Sequence, residues 1–322
     1  MTKFKKSKIF TKTLVSSFIS FASITAFANP IIPDNSQTQV QNVNNVPVVN
    51  IANPNGAGVS HNLYKEFNVE TRGAVLNNST NGVNSQLAGY LNKNPNLSNS
   101  AKVIINEVVG GNQSQLLGKL EVAGNKANVL ISNQNGIVIN GASFVNSDSI
   151  SLNTGKVALR PDGALQGTKV ANGKITIGER GLDATGANSV ALISRALELN
   201  GKINAKSLFI QTGGNETDYK NKPQFAIDTK ALGGMYANNI QISSTENGLG
   251  INLGNLQSVG NNGIGISIIS SGPVRFISDI KSKKHISSFA PQHFTQNNAQ
   301  ITSSEGLVFI QDGNPYGTIF NK

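Results

Sequence analysis

The chain has 322 residues, with 27 basic and 17 acidic side chains, three histidines and no cysteine. Without cysteine it can hold no disulfide scaffold, thiolate zinc site, iron–sulfur cluster or cysteine nucleophile. Asparagine occurs 44 times, as often as all charged residues together, so uncharged amides supply much of the polarity. The hydrophobic fraction of 38% is mostly aliphatic, which suffices for a core if a regular pattern places these residues inside.

The amino terminus has the pattern of a secretory signal peptide. Five lysines between Lys3 and Lys12 precede an apolar stretch, and Ala26-Phe27-Ala28 supplies small residues at the cleavage positions. A retained membrane anchor is the weaker interpretation, because serines interrupt the apolar stretch and it is short for a bilayer. The expected mature chain, from Asn29, keeps 22 basic and 17 acidic residues. This small, dispersed excess does not indicate nucleic-acid binding.

After the signal peptide, apolar and polar residues alternate in many short segments. Alternation places every second side chain on one face and predicts short β-strands. Asn-Gly pairs separate the segments and favour tight corners, because they accept positive φ at little cost. The alternating segments include Ile137/Ile139, Ile175/Ile177, Leu197/Leu199, Ile240/Ile242, Ile251/Leu253 and Ile264/Ile266/Ile268.

Two architectures use many short strands with glycine corners, an antiparallel sandwich or barrel and a stacked β-solenoid. Strand centres near Ile131, Ile150, Ile175, Leu192 and Leu208 recur every 16 to 25 residues, which suits one solenoid coil per interval. Asparagine supports the solenoid, because amides at turns stacked about 4.8 Å apart can hydrogen-bond from coil to coil. The sequence therefore predicts an all-β parallel β-helix, with strand rather than helix at residues 190–199.

Five sequence segments occur in the same order in this chain as in a known protein family. Residues 48–76 read VVNIANPNGAGVSHNLYKEFNVETRGAVL, and Asn94-Pro95-Asn96-Leu97 follows. EVAGNKANVLISNQNGI at 121–137, ISRALELNGKINAKSLFIQTGGN at 193–215 and ALGGMYA at 231–237 complete the set. Over about residues 29–254 the chain thus resembles the filamentous hemagglutinin-type secretion domain, the N-terminal domain of exoproteins exported by two-partner secretion.

The resemblance implies a right-handed parallel β-helix with an N-terminal β cap, to which residues 48–76 contribute. It divides the chain into a signal peptide (1–28), a secretion domain (29–255) and a short continuation of the β-helix with an irregular tail (256–322). It also implies partners. The general secretion machinery would deliver the chain to the periplasm, and an outer-membrane β-barrel transporter with periplasmic recognition domains would export it to the medium or the cell surface.

The resemblance assigns a secretion role to two motifs, Asn94, Pro95, Asn96 and Leu97, and Asn133, Asn135, Gly136 and Ile137. A purely structural turn is an equally good interpretation of the first, because proline presets φ and asparagine can bond to its own backbone. The second departs from the family's Asn-Pro-Asn-Gly-Ile, since Gln134 replaces proline. We expect its Asn-Gly corner to form, and a structural turn is the stronger interpretation of this motif, because Ile137 starts the next alternating strand.

No enzyme, cofactor or metal site is expected. His61 beside Ser60 lacks a nucleophile elbow, and the glycine pairs lack a following lysine and helix. A polysaccharide lyase is a distant alternative, because the eight aspartates are scattered without paired spacing. Among exoproteins we favour an adhesin that binds a receptor on a host or bacterial surface. The alternative is a truncated N-terminal part of a contact-dependent growth inhibition toxin or hemolysin.

Overall fold

A computed structural model describes residues 30–214, 222–261 and 263–313, which contain 34 β-strands and no helix. Thirty of these strands form three sheets that the chain visits in turn. The chain is a right-handed parallel β-helix, and the predicted fold class is confirmed. The predicted signal peptide, residues 1–28, lies outside the described residues. Nothing in the described part forms a helix long and apolar enough to cross a membrane.

Within each sheet, hydrogen-bonded neighbours follow one another in spatial order along the β-helix. The first sheet contains β1 (Ile31–Pro33), β4 (Val59–Phe67), β8 (Val103–Val108), β11 (Ala127–Asn133), β14 (Ser147–Asn153), β19 (Ser189–Ser194), β22 (Ser207–Thr212), β25 (Asn239–Ser244), β28 (Ile264–Ser270), β31 (His285–Ala290) and β34 (Val308–Asp312). The second contains β2 (Gln39–Val43), β3 (Val46–Asn50), β5 (Ala74–Asn78), β10 (Lys119–Gly124), β13 (Ala142–Val145), β18 (Leu182–Asp183), β21 (Lys202–Asn204), β24 (Gly234–Ala237), β27 (Leu256–Ser258), β30 (Ile280–Ser282) and β33 (Ile301–Ser303). The third contains β9 (Ser114–Leu116), β12 (Ile137–Ile139), β17 (Lys174–Ile177), β20 (Ala196–Leu199), β23 (Ile227–Thr229), β26 (Ile251–Leu253), β29 (Val274–Phe276) and β32 (His293–Thr295). Two antiparallel hairpins leave the wall, β6–β7 (Val83–Ser85 and Gly89–Leu91) and β15–β16 (Lys156–Leu159 and Leu165–Lys169).

Antiparallel strands close the amino-terminal end of the β-helix. β1 pairs antiparallel with β4 and β2 pairs antiparallel with β3, whereas the later neighbours in both sheets are parallel. Asn44 and Asn45 form the turn between β2 and β3 with φ of 50° and 64°, a conformation that asparagine tolerates. The cap therefore begins at Ile31, and residues 48–76 supply mainly the first coil beneath it. The cap covers the open edges of the first two sheets at this end and so protects them from pairing with other chains.

Aliphatic side chains stack in register along the inside of the β-helix. In the first sheet Ile150 pairs with Val190, and Val190 pairs with Leu208. In the third sheet Ile137 pairs with Ile175. All five side chains are at most 1% exposed. Each contributes about 1.5–3 kcal/mol to folding, and stacking of neighbouring coils is what buries it.

The coils differ in length because some contain extra segments, such as hairpins, that leave the β-helix. Ile175, which the sequence suggested as the centre of its own coil, lies in the third sheet, whereas Ile150 and Val190 are direct partners in the first. The hairpin β15–β16 lengthens this coil, while the next one needs only the 18 residues from Val190 to Leu208. β19 and β20, separated by a bend at Arg195, confirm that residues 190–199 are strand rather than helix.

Candidate functional site

The first motif forms a turn in the connection between β7 and β8. The Asn94 side chain is 1% exposed, and its Nδ2 donates to the carbonyls of Ile51 at 3.0 Å and Asn77 at 2.9 Å. Its Oδ1 accepts the backbone N–H of Asn96 at 3.0 Å. The buried amide thus fixes its own turn and two neighbouring segments of the first coil.

The rest of this motif reaches toward the cap. Nδ2 of Asn96 lies 2.7 Å from Oε1 of Gln39 and 3.2 Å from the carbonyl oxygens of Asn50 and Ile51. Leu97 is partly buried against the main core, whereas Pro95 is exposed. Asn96 therefore connects the motif to β2 of the cap, Asn94 and Leu97 hold it to the first coil and the core, and Pro95 remains at the surface.

The second motif, between β11 and β12, repeats this geometry. Asn133 is fully buried, and its Nδ2 donates to the Asn112 carbonyl at 2.9 Å and to Ser114 Oγ at 3.0 Å. Its Oδ1 accepts the backbone N–H of Asn135 at 2.9 Å. Nδ2 of Asn135 donates to the Gly110 carbonyl of the preceding coil at 2.7 Å. We call each Asn-x-Asn turn of this kind an asparagine bracket.

The second bracket forms without proline. Gln134 is exposed, and the Gly136 N–H donates to the Asn133 carbonyl at 3.0 Å. Gly136 has φ of +116°, and a Cβ there would lie 2.9 Å from the Lys174 carbonyl oxygen, so only glycine fits. The fully buried Ile137 then begins β12. The expected Asn-Gly corner is therefore present.

The two brackets occupy different corners of the β-helix. Asn94 lies where the chain passes from the second sheet to the first, and Asn133 lies where it passes from the first to the third. The structure thus does not combine the predicted site residues into one pocket. A partner that reads both motifs would have to contact two separate stretches of chain.

Buried amides inside the first coils were not anticipated from the sequence. Asn62 and Asn106 are fully buried register partners in β4 and β8, at positions that are aliphatic in later coils. Asn62 Oδ1 accepts the Ala52 N–H at 2.9 Å and the Thr38 hydroxyl at 2.8 Å, and Tyr64 donates its hydroxyl to Asn106 Oδ1 at 3.0 Å. Asparagine in the apolar phase of an alternating strand is the signal that could have revealed them.

Two carboxylates on the outer wall hold the hairpins. Glu121 Oε1 accepts the Gln86 N–H at 2.8 Å, and its Oε2 accepts the Leu87 N–H at 2.9 Å and the Ser85 hydroxyl at 2.8 Å. This fixes β6–β7 over the second sheet, where the hairpin packs on Val48, Val75 and other apolar residues.

Glu107 has the same role for β15–β16. Its Oε1 accepts the Val157 N–H at 3.0 Å, and its Oε2 lies 2.7 Å from His61 Nε2. The hairpin covers the outward-facing Ile105 and Leu130 of the first sheet. Burial works to raise the pKa of Glu107, but the hydrogen bonds from His61 and Val157 outweigh it and lower that pKa.

The described residues offer no group of three or more His, Asp or Glu side chains that could hold a metal ion. Ser60 is fully buried and donates its hydroxyl to the Ala52 carbonyl at 2.7 Å, so it is not an accessible nucleophile.

A serine, a histidine and an aspartate are connected at the other end of the β-helix. Ser288 Oγ lies 2.7 Å from His293 Nε2, and His293 Nδ1 lies 2.6 Å from Asp312 Oδ1. Ser288 is fully buried and Ile310 is its register partner in β34, so a substrate could not reach the hydroxyl. This chain of hydrogen bonds connects β31, β32 and β34.

Known proteins share this architecture. The family model described as "TPS secretion domain" matches residues 29–276. The crystal structure of a filamentous hemagglutinin secretion domain superposes with a TM-score of 0.68 and 32% identity, covering 88% of this chain and all of that one.

Curated relatives are named CdiA. A tRNA nuclease CdiA of Escherichia coli strain STEC_O31 is 46% identical over 239 residues, which are 70% of this chain and 7% of the relative. A 16S rRNA endonuclease CdiA of Enterobacter cloacae is 44% identical over 246 residues, 72% of this chain and 7% of the relative. The chain therefore spans only a small part of these relatives.

The capped β-helix has the fold of a secretion domain of the filamentous hemagglutinin type. The chain belongs to the family of two-partner secretion (TPS) domain exoproteins. Proteins of this family are secreted or lie at the cell surface, and the domain implies recognition by an outer-membrane transporter.

Proposed function

We propose that this chain is the export-directing N-terminal part of an exoprotein that crosses the periplasm after delivery by the general secretion machinery. An outer-membrane β-barrel transporter with periplasmic recognition domains then carries it to the surface or the medium. The match of residues 29–276 to the TPS secretion domain is the observation that carries this proposal.

Recognition of the two motifs takes place before folding. In the folded domain both side-chain amides of each bracket are occupied by hydrogen bonds within the chain. A transporter that reads Asn94, Asn96, Asn133 or Asn135 therefore has to meet them on an unfolded chain, where these amides are free to bond to a partner.

Folding supplies the direction of export. Coils bury aliphatic ladders only when they stack on one another, so each coil completed outside makes backward sliding unfavourable. The antiparallel cap pairs with the strand edges at one end of the first coil, so this coil does not need a preceding coil there. It therefore serves as the nucleus for this stacking.

The larger protein is a carrier of a growth-inhibition toxin rather than an adhesin. The CdiA relatives at 44–46% identity favour this alternative. Nuclease activity in those names refers to much longer proteins, and we assign no catalytic activity to the present chain. Co-culture tests the choice: killing of neighbouring cells by the parent exoprotein supports a toxin carrier, and receptor binding without killing supports an adhesin.

Export itself is tested with two variants of the first motif. Asn94→Ala removes three hydrogen bonds and lowers both stability and secretion. Pro95→Ala alters an exposed side chain and should change stability by less than about 1 kcal/mol. We expect Pro95→Ala to reduce the ratio of supernatant to periplasmic protein although the purified domain keeps its unfolding midpoint.

Deletion of the transporter gene is the control, and it should abolish secretion of every variant. Unchanged secretion without the transporter would overturn the export proposal. Normal secretion of Pro95→Ala would limit the first motif to a folding role.

A further inference from the structure

Asn-Gly pairs are chemically fragile, because glycine leaves its backbone nitrogen free to attack the preceding side-chain amide. In six of the seven described pairs, a hydrogen bond restrains either the asparagine amide or the glycine N–H. The restrained pairs are those at Asn55, Asn135, Asn140, Asn172, Asn200 and Asn247. Hydrogen bonds, most of them between coils, therefore restrain the reacting groups at six of these seven corners.

The pair Asn81-Gly82 is different. Both residues are exposed, and within the described structure neither the Asn81 carboxamide nor the Gly82 N–H has a hydrogen-bond partner. The backbone of Asn81 is nevertheless held in place, since Ser79 Oγ donates to its carbonyl at 2.7 Å and accepts its N–H at 3.3 Å. The side chain can thus rotate over a fixed backbone.

We propose that Asn81 is a site of spontaneous deamidation in the folded protein. The Gly82 nitrogen attacks Cγ of Asn81 and forms a five-membered succinimide, its proton passes to solvent, and the side-chain nitrogen leaves as ammonia. Water then opens either carbonyl of the ring, which gives aspartate or isoaspartate. No oxidant or reductant is consumed.

The product alters the start of β6–β7. Isoaspartate adds one carbon to the backbone between Ser79, whose carbonyl accepts the Asn94 N–H at 2.8 Å, and Val83, which begins β6. The hairpin is fixed at its turn by Glu121. The added length and negative charge therefore act on the connection between the first bracket and the hairpin.

The test is peptide mapping of the mature chain during incubation at mildly alkaline pH, with fragmentation that distinguishes isoaspartate from aspartate. In the folded protein we expect Asn81 to convert at least about tenfold faster than Asn135, because Asn135 must first release bonds on its amide and on the Gly136 nitrogen. In denaturant the two sites should convert at similar rates.

Equal rates in the folded protein, or faster conversion at Asn135, would overturn the proposal. Asn81→Gln is the matched variant, and it should remove the signal at this site and leave the unfolding midpoint unchanged. A large loss of stability in Asn81→Gln would show that the side chain has a structural role, which also contradicts the proposal.

Discussion

Arg195 and Glu246 form a buried bidentate ion pair between coils that are not neighbours. Nε and Nη2 of Arg195 lie 3.2 and 3.1 Å from Oε2 and Oε1 of Glu246. The side chains are 4% and 2% exposed. Arg195 follows β19 and Glu246 follows β25, so the coil that contains β22 lies between them. Breaking such a pair from one side leaves a buried charge without its main partner.

Glu246→Gln should therefore lower the free energy of unfolding by about 3 kcal/mol, measured by urea denaturation. The double variant Arg195→Met with Glu246→Leu should recover most of this loss, because neither charge is then buried. Lys174→Met is the control, since it breaks an ion pair with Glu198 whose side chains are 48% and 30% exposed, and it should cost less than about 1 kcal/mol. Equal losses in Glu246→Gln and Lys174→Met would contradict the role of burial.

The Glu107 interaction should make stability depend on acid pH. Because its folded-state pKa is lowered, its contribution is complete above the ordinary glutamate pKa of about 4.3 and is lost as pH falls through the folded value. Glu107→Gln should thus melt below the parent protein near neutral pH, and the difference should shrink near about pH 3. Thermal melts between neutral pH and about pH 3 measure this difference in melting temperature. A difference that stays constant with pH would contradict the lowered pKa of Glu107.

Loss of Glu121 should release one hairpin without unfolding the β-helix. Glu121→Ala removes three acceptor contacts to residues 85–87, which corresponds to about 2–3 kcal/mol of local stability. Hydrogen exchange should accelerate in β6–β7 and stay slow in β11. Glu198→Ala, on the third sheet, should leave exchange in the hairpin unchanged.

Two hydroxyls in one interior ladder should respond in opposite directions. Thr212 Oγ1 is buried without a hydrogen-bond partner among the described groups, so Thr212→Val should raise stability by about 1 kcal/mol. Ser270, two strands further along the ladder, accepts the Gly272 N–H at 3.2 Å, and Ser270→Ala should lower stability by about 1 kcal/mol. Denaturant midpoints compare them, and changes of the same sign would contradict the hydrogen-bond assignment.

The alternation of aliphatic residues predicted the strands and their inward faces, but it fits a sandwich as well as a β-helix. The spacing of the strand centres and the abundance of asparagine favoured the β-helix, and ladders such as Ile150–Val190–Leu208 confirm it. The hairpins were not predicted. Val157 and Leu159 alternate like any wall strand, and a period of two cannot show whether a strand joins the wall or packs outside it. Only the pairing register of the flanking strands, which the structure gives, shows that β15 packs outside the β-helix.

The site was predicted in part. Asparagine ladders between coils were expected, and Asn146 illustrates them with φ of 56° and an amide that donates to the Val122 carbonyl at 2.8 Å. The hairpin-anchoring glutamates were missed, because each partner lies more than 30 residues away in sequence. The secretion role of the two motifs stays a prediction, since their folded geometry serves stability whether or not a transporter reads them.

The positions of the two anchoring glutamates have a consequence for the order of assembly. Hairpin β6–β7 precedes Glu121 in the chain, whereas β15–β16 follows Glu107. Whichever terminus reaches the outside first, one hairpin meets a carboxylate already in place and the other must wait for its carboxylate to arrive. Stepwise folding from either end of the chain therefore anchors one hairpin as soon as it forms and the other only at a later step.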